Sequence, residues 1–261
     1  MIVFVLGHLF IMHYQHAPSD TGAAFVSRRW TGAAWRVFDW VLLMLALTHG
    51  LAGAHGVLRE RIRRPAARAV ADGAFAGGVV LFTVLGTAAV AVGPRAPESG
   101  PGPLSAATWI PTALIAGLVV LATLTYLALA GMVTVLGARL LRRVPIGRWN
   151  YPGQWAFALN RVAGLGVLGF LLVHVVDVVL VPLAPGLYER TVAGYALPYL
   201  VPMEIALVTA VIYHALDGLR LMLLEALDRR TVAAHVPSFV LVVVMTVLLV
   251  VPSAVILLYG R

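Results

Sequence analysis

The chain has 261 residues, 61% of them hydrophobic and only 11% charged, and it contains no cysteine. With a mean hydropathy of +0.94, it is excluded from the soluble globular class, and the missing thiols exclude a disulfide framework, thiolate-held iron–sulfur clusters and covalently attached haem. All 19 basic residues are arginines; because they gather at the ends of apolar runs, the pI near 10.6 reads as orientation and lipid headgroup contact, not as a nucleic-acid surface.

The chain therefore reads as all-α, a polytopic membrane helix bundle of about seven segments. Met1 to Met12 is apolar but covers only about 18 Å at the helical rise, so the first helix is expected to lie half in the membrane or to be shortened relative to its relatives. No basic n-region or cleavage site marks a removable leader. Trp35–Leu58 is a full-length span, followed by Arg59, Arg61, Arg63, Arg64 and Arg68. Ala71–Val92 is the third and is closed by Gly93, Pro94 and Pro97. Ile110–Leu141 is the fourth, with Arg139, Arg142, Arg143 and Arg148 at its end. Gln154–Val181, Pro202–Leu224 and Val236–Leu258 complete the set.

The arginines fix the orientation. Nine of them surround the loops after segments two and four, and Arg220, Arg229 and Arg230 close segment six. Those loops alternate correctly to share one face, which is cytoplasmic by the positive-inside rule. Arg28, Arg29 and Arg36 beside the first outer loop depart from it and read as interfacial residues or as partners of propionates or headgroups.

Four histidines lie inside or against apolar segments, where an ionisable side chain is costly and normally has a task or a partner. His49 and His214 fall about 15 Å and 9 Å from the cytoplasmic ends of their segments, in the inner leaflet. His8 and His174 fall nearer the outer leaflet. Two imidazoles at matched depth on different helices are what bis-histidine ligation of haem iron requires. Both inner histidines are followed one turn later by glycine, Gly53 and Gly218, on the same helical face, where a flat macrocycle needs room. Hydrogen bonding of each histidine to a neighbouring helix is the plainer explanation. Asp177, Glu204 and Asp217 are acids in or near the membrane, Glu204 in the outer half; His13, His16, His55 and His235 lie at segment ends.

The stretch Leu6-Gly7-His8-Leu9-Phe10-Ile11-Met12, then Arg29-Trp30, Trp35-Arg36-Val37-Phe38-Asp39-Trp40 and Leu47-Thr48-His49-Gly50, resembles the D-type membrane anchor of succinate dehydrogenases (respiratory complex II). Asn160-Arg161-Val162-Ala163-Gly164, Leu172-Val173-His174-Val175-Val176-Asp177 and Tyr213-His214-Ala215-Leu216-Asp217-Gly218-Leu219-Arg220 resemble the C-type anchor, or cytochrome b subunit. The resemblance implies two fused anchors: a D-type three-helix unit over 1–95, a connecting helix with its loops over 96–149, and a C-type three-helix unit over 150–261. Topology asks for the extra helix independently, because a three-helix unit that starts inside ends outside.

By the same resemblance, haem b is expected between His49 and His214 and a second between His8 and His174, two haems rather than one; Arg220 either pairs with a propionate of the inner haem or simply marks the helix end. Arg161 takes the family's quinone or propionate position, and Asn160 and Glu60 are the accompanying quinone-site candidates. Arg61 and Phe157 stand where the family carries an aromatic residue and a serine. Implied partners are a flavoprotein subunit, an iron–sulfur subunit, quinone and membrane lipids, with a further small anchor subunit or a homotrimer compatible, in a bacterial cytoplasmic membrane. Succinate chemistry would lie in the partner subunits. The alternatives are a seven-helix transporter or proton channel and a haem-less anchor; a reduced-minus-oxidised visible spectrum separates these from the cytochrome.

Overall fold

The computed structural model describes residues 1–16, 21–92, 152–195, 200–228 and 232–259. The fourth segment, the arginines from Arg139 to Arg148, and Arg229 and Arg230 lie outside the described residues. What is described is helical: α1 (Ile2–Leu9) passing into a π-helical turn (Phe10–Tyr14), α2 (Ala23–Arg29), α3 (Ala33–Arg61), α4 (Pro65–Val92), α5 (Pro152–Leu183), α6 (Pro185–Tyr195), α7 (Val201–Ala226) and α8 (Val232–Tyr259). Five helices, α3, α4, α5, α7 and α8, are long and apolar enough to cross a membrane, and Ile2–Met12 is a shorter apolar helix. The chain is a multi-pass, all-helical membrane protein.

The chain divides into two compact units. The first comprises Met1–Leu127 and Phe170–Leu197, the second Ala128–Gly169 and Pro198–Arg261; α5 thus contributes its first part to one and its second part to the other.

In the first unit, α3 and α4 form a hairpin. α3 ends where Ile62 turns to an extended conformation ahead of Pro65, which opens α4 in the position where a missing N–H costs nothing. Arg68 donates to the carbonyls of Arg59 (3.4 Å) and Ile62 (3.2 Å), placing a cation on the negative end of α3. Gly86 of α4 lies so close to the Leu43 side chain that a Cβ there would collide with it. Trp40 Nε1 donates to Thr87 Oγ1 at 3.1 Å. At the N-terminus of α2, Glu189 of α6 accepts the Ala23 N–H at 2.7 Å, and the Tyr188 hydroxyl donates to the Thr21 carbonyl at 3.0 Å. A core of Ala23, Val26, Trp30, Ala89, Val90, Val179, Leu180, Val181 and Tyr188 lies beneath these ties.

In the second unit α7 packs against α8. Val208, Ile212, Val242 and Leu257 are buried. Hydroxyls of Thr209, Thr246 and Ser253 each return to the carbonyl four residues earlier, which satisfies them without water. Much of α8 stays uncovered and apolar: Val240, Leu241, Val247, Leu248, Val251 and Leu258 are exposed, which suits contact with lipid chains.

Candidate functional site: histidines and their supports

His8 and His174, expected at one depth from sequence, are brought together in the first unit. Their ring centres are 6.2 Å apart with planes at 71°. His174 also lies flat on Phe170, 5.5 Å between centres and 16° between planes. His8 stands two residues before the π-helical turn that begins at Phe10, a local widening often found at functional positions.

Behind His8 lies a charged cluster. Asp39 Oδ1 is 3.9 Å from His8 Nδ1. The same carboxylate accepts a fork of bonds from Arg29, Nε to Oδ2 at 3.1 Å and Nη2 to Oδ1 at 2.8 Å, and a third from Trp30 Nε1 to Oδ2 at 3.0 Å. The Arg29 guanidinium lies 4.1 Å over the Trp35 ring, a cation–π contact that fixes its plane. Sequence placed Arg29 at the interface and gave Asp39 no role. The signal was present: an acid within an apolar run, ten residues after Arg29-Trp30.

His49, on α3, is exposed in its own unit, and the space where a Gly53 Cβ would stand is open. His55 is held: its ring stacks on Phe75 at 4.3 Å, and Nε2 is 2.6 Å from Asp72 Oδ1, while Arg59 donates to Asp72 Oδ2 at 3.4 Å. Asp72, which the sequence reading passed over, joins α3 to α4 through these two contacts. Glu60 is exposed. Asp177 accepts the Tyr195 hydroxyl at 2.6 Å.

In the second unit, His214 of α7 has a built seat on α5. Its Nδ1 is 3.1 Å from the Asn160 carbonyl oxygen. That oxygen only accepts, so Nδ1 carries the proton and Nε2 presents the lone pair, the tautomer that a metal-binding imidazole needs. The ring lies against Gly164: a Cβ there would stand 2.8 Å from His214 Cε1 and 3.1 Å from Nδ1. Only glycine admits the imidazole this close. Asn160 and Gly164 are one turn apart, so one face of α5 supplies both the acceptor and the gap. Sequence singled out both residues without this pairing. Beside Gly218 the space is open.

Arg161 lies 4.1 Å over the Phe157 ring, and the Asn160 side-chain oxygen is buried without a hydrogen-bond donor among the described residues. Arg220 is engaged within the protein: Nη1 donates to Asp217, which is wholly buried, and Nη2 is 3.2 Å from His235 Nδ1. Asp217 Oδ2 and Arg220 Nε are buried without hydrogen-bond partners among the described residues. Among the described residues no group of three or more histidines and acids is placed to hold a bare metal ion, whereas haem, whose macrocycle supplies four ligands, asks the protein only for axial ones.

Residues 137–251 match the family model for the succinate dehydrogenase/fumarate reductase transmembrane subunit. Similar proteins include the succinate dehydrogenase 2 membrane subunit SdhC of Mycobacterium tuberculosis, 38% identical over 74 residues that cover 28% of this chain and 54% of that protein. Another is the succinate dehydrogenase hydrophobic membrane anchor subunit of Halobacterium salinarum, 28% identical over 106 residues, 37% of this chain and 82% of that protein. The chain thus spans about half the length of the mycobacterial relative. No solved structure matches it.

Proposed function

We propose that this chain, whose residues 137–251 match the succinate dehydrogenase/fumarate reductase transmembrane subunit, is the haem b-binding, quinone-reducing membrane anchor of a succinate:quinone oxidoreductase in a bacterial cytoplasmic membrane. In this reading D-type and C-type anchors are fused. A flavoprotein and an iron–sulfur subunit perform the succinate chemistry and dock on the arginine-rich face. The observation that carries the proposal is the seat of His214 inside the matched segment, with Nδ1 on a backbone carbonyl and the ring on Gly164.

The residues present fit haem. His214 would hold the inner group through Nε2, the resemblance naming His49 as its partner, and His8 with His174 would hold the outer one. His8 and His174 stand close enough, 6.2 Å between ring centres, to be offered to one group, which they would hold as a pair. Bound haem supplies reversible one-electron transfer. The chain orients the imidazoles, excludes water with apolar helices and balances charge. The Asn160 side-chain oxygen can only accept and the neighbouring Arg161 can only donate, and these two roles suit a quinone whose oxygens change from acceptors to hydroxyl donors on reduction. Arg220 answers Asp217 first, which leaves a propionate only a share of its charge.

The test is a reduced-minus-oxidised spectrum of the purified complex, with pyridine haemochrome to count haems per chain. Two b-type haems are expected. His214→Ala should remove one and lower quinone reduction far more than dye-linked succinate oxidation, since the dye needs only the flavoprotein. A wild-type complex without any b-type band would leave a haem-less anchor or a transporter.

A further inference from the structure

We propose that Asp39 is a positioning and charge-setting residue behind His8, and that the Arg29–Asp39 pair tunes the potential of the outer iron site. The inference rests on the reading of His8 and His174 as axial ligands.

The geometry is that of a held carboxylate. Neutralising a membrane acid requires one cation, yet Asp39 receives three donors: both arms of the Arg29 fork and the Trp30 indole. Arg29 is in turn clamped over Trp35. Such a carboxylate cannot rotate away, and its Oδ1 faces His8 Nδ1 at 3.9 Å. That separation is ion-pair range and longer than a hydrogen bond, so the influence is electrostatic. The Asp39 side chain is 16% exposed and that of Arg29 8%, which limits screening by water.

The pair is a dipole with its negative end toward the imidazole. A negative charge beside an axial ligand favours the more positive, oxidised iron, and a positive charge favours the reduced form. Removing Asp39 leaves Arg29 uncompensated and makes the outer site easier to reduce. Removing Arg29 leaves Asp39 uncompensated and makes it harder. Removing both restores near neutrality. A merely structural cluster has no such opposition of sign, because breaking it from either side loosens the same helices.

The experiment is a redox titration of the haem bands in the intact complex, with the outer haem identified as the one lost in His174→Ala. Asp39→Asn should raise the reduced-to-oxidised ratio at fixed potential about tenfold, equivalent to about 59 mV for one electron. Arg29→Gln should lower it by a similar factor, the double variant should titrate near wild type, and Asp39→Glu, which keeps the charge, should stay within threefold. Both single variants shifting in one direction, or neither moving the outer haem, overturns the inference while the haem assignment stands. A variant that loses the outer haem is judged by the double variant, whose failure to regain it also overturns the inference. A wild-type complex with one haem per chain, retained in His174→Ala, sinks the outer-haem reading and this inference with it.

Discussion

Gly164→Ala is the smallest change that addresses the His214 seat directly. The new Cβ would stand 2.8 Å from His214 Cε1, so the ring must withdraw by roughly 0.6 Å to reach ordinary contact at 3.4 Å. The Nδ1 to Asn160 contact is 3.1 Å, and the same withdrawal stretches it beyond the hydrogen-bonding range of about 3.2 Å. Two effects compete. Alanine in a helix interior gains about 0.5–1 kcal/mol over glycine, whereas forcing a methyl into a filled site costs about 1–3 kcal/mol. The crowding term is the larger, and the imidazole leaves its acceptor. Gly166, two residues on, provides the control: a Cβ there meets nothing within 4 Å, so Gly166→Ala should be neutral or slightly stabilising. The assay is thermal unfolding of the purified complex in detergent, paired with its reduced-minus-oxidised spectrum. Gly164→Ala should lower stability by about 1 kcal/mol and shift or diminish the inner haem band, while Gly166→Ala leaves both unchanged. Equal behaviour of the two variants would refute the seat.

Three further outcomes follow from the same geometry. Gly86→Ala should destabilise the α3–α4 hairpin by about 1–3 kcal/mol, because the new methyl meets Leu43; faster proteolysis between Arg61 and Pro65 would report it. Asp217→Leu should cost about 3–5 kcal/mol by leaving the buried Arg220 charge alone, and Asp217→Leu with Arg220→Met should recover most of that in the same unfolding assay. Burial, helped by the carboxylates of Asp177 and Glu189, pushes the Tyr188 hydroxyl from 10.0 up to about 12; its bond to Thr21 is full below pH 10 and lost as pH rises through 12. Wild-type unfolding should steepen over that window, whereas Tyr188→Phe, lower by about 0.5–1.5 kcal/mol at neutral pH, should not.

Hydropathy located every described span because it measures what the bilayer demands, but it misplaced their ends. α4 begins at Pro65, six residues before the expected Ala71, because Arg68 is charged yet helical, bonded to the end of α3. α2 and α6 were hidden for the opposite reason. Their Gly- and Pro-bearing surroundings read as loop, although Pro185 opens α6 and Gly22 stands where a larger residue would meet the Glu189 carboxylate. Depth counting brought His8 to His174, since helical rise is regular. No such count reaches Asp39, whose link to His8 depends on how α1, α2 and α3 pack together.

The acids within or beside the spans bear on the choice between a cytochrome and a transporter. A proton relay needs carboxylates whose charge is free to change as protons pass. Here four of the described acids have close partners of their own. Asp39 is held by Arg29 and Trp30, Asp72 by His55 and Arg59, Asp177 by Tyr195 and Asp217 by Arg220. These pairings keep the carboxylates in place, and arginines compensate the charge of Asp39, Asp72 and Asp217, whereas Asp177 has only the neutral Tyr195 hydroxyl. His214 differs, because its Nδ1 partner is an uncharged backbone carbonyl that fixes a tautomer. Fixed acids beside oriented imidazoles suit a protein that moves electrons between held groups better than one that moves protons along a changing chain.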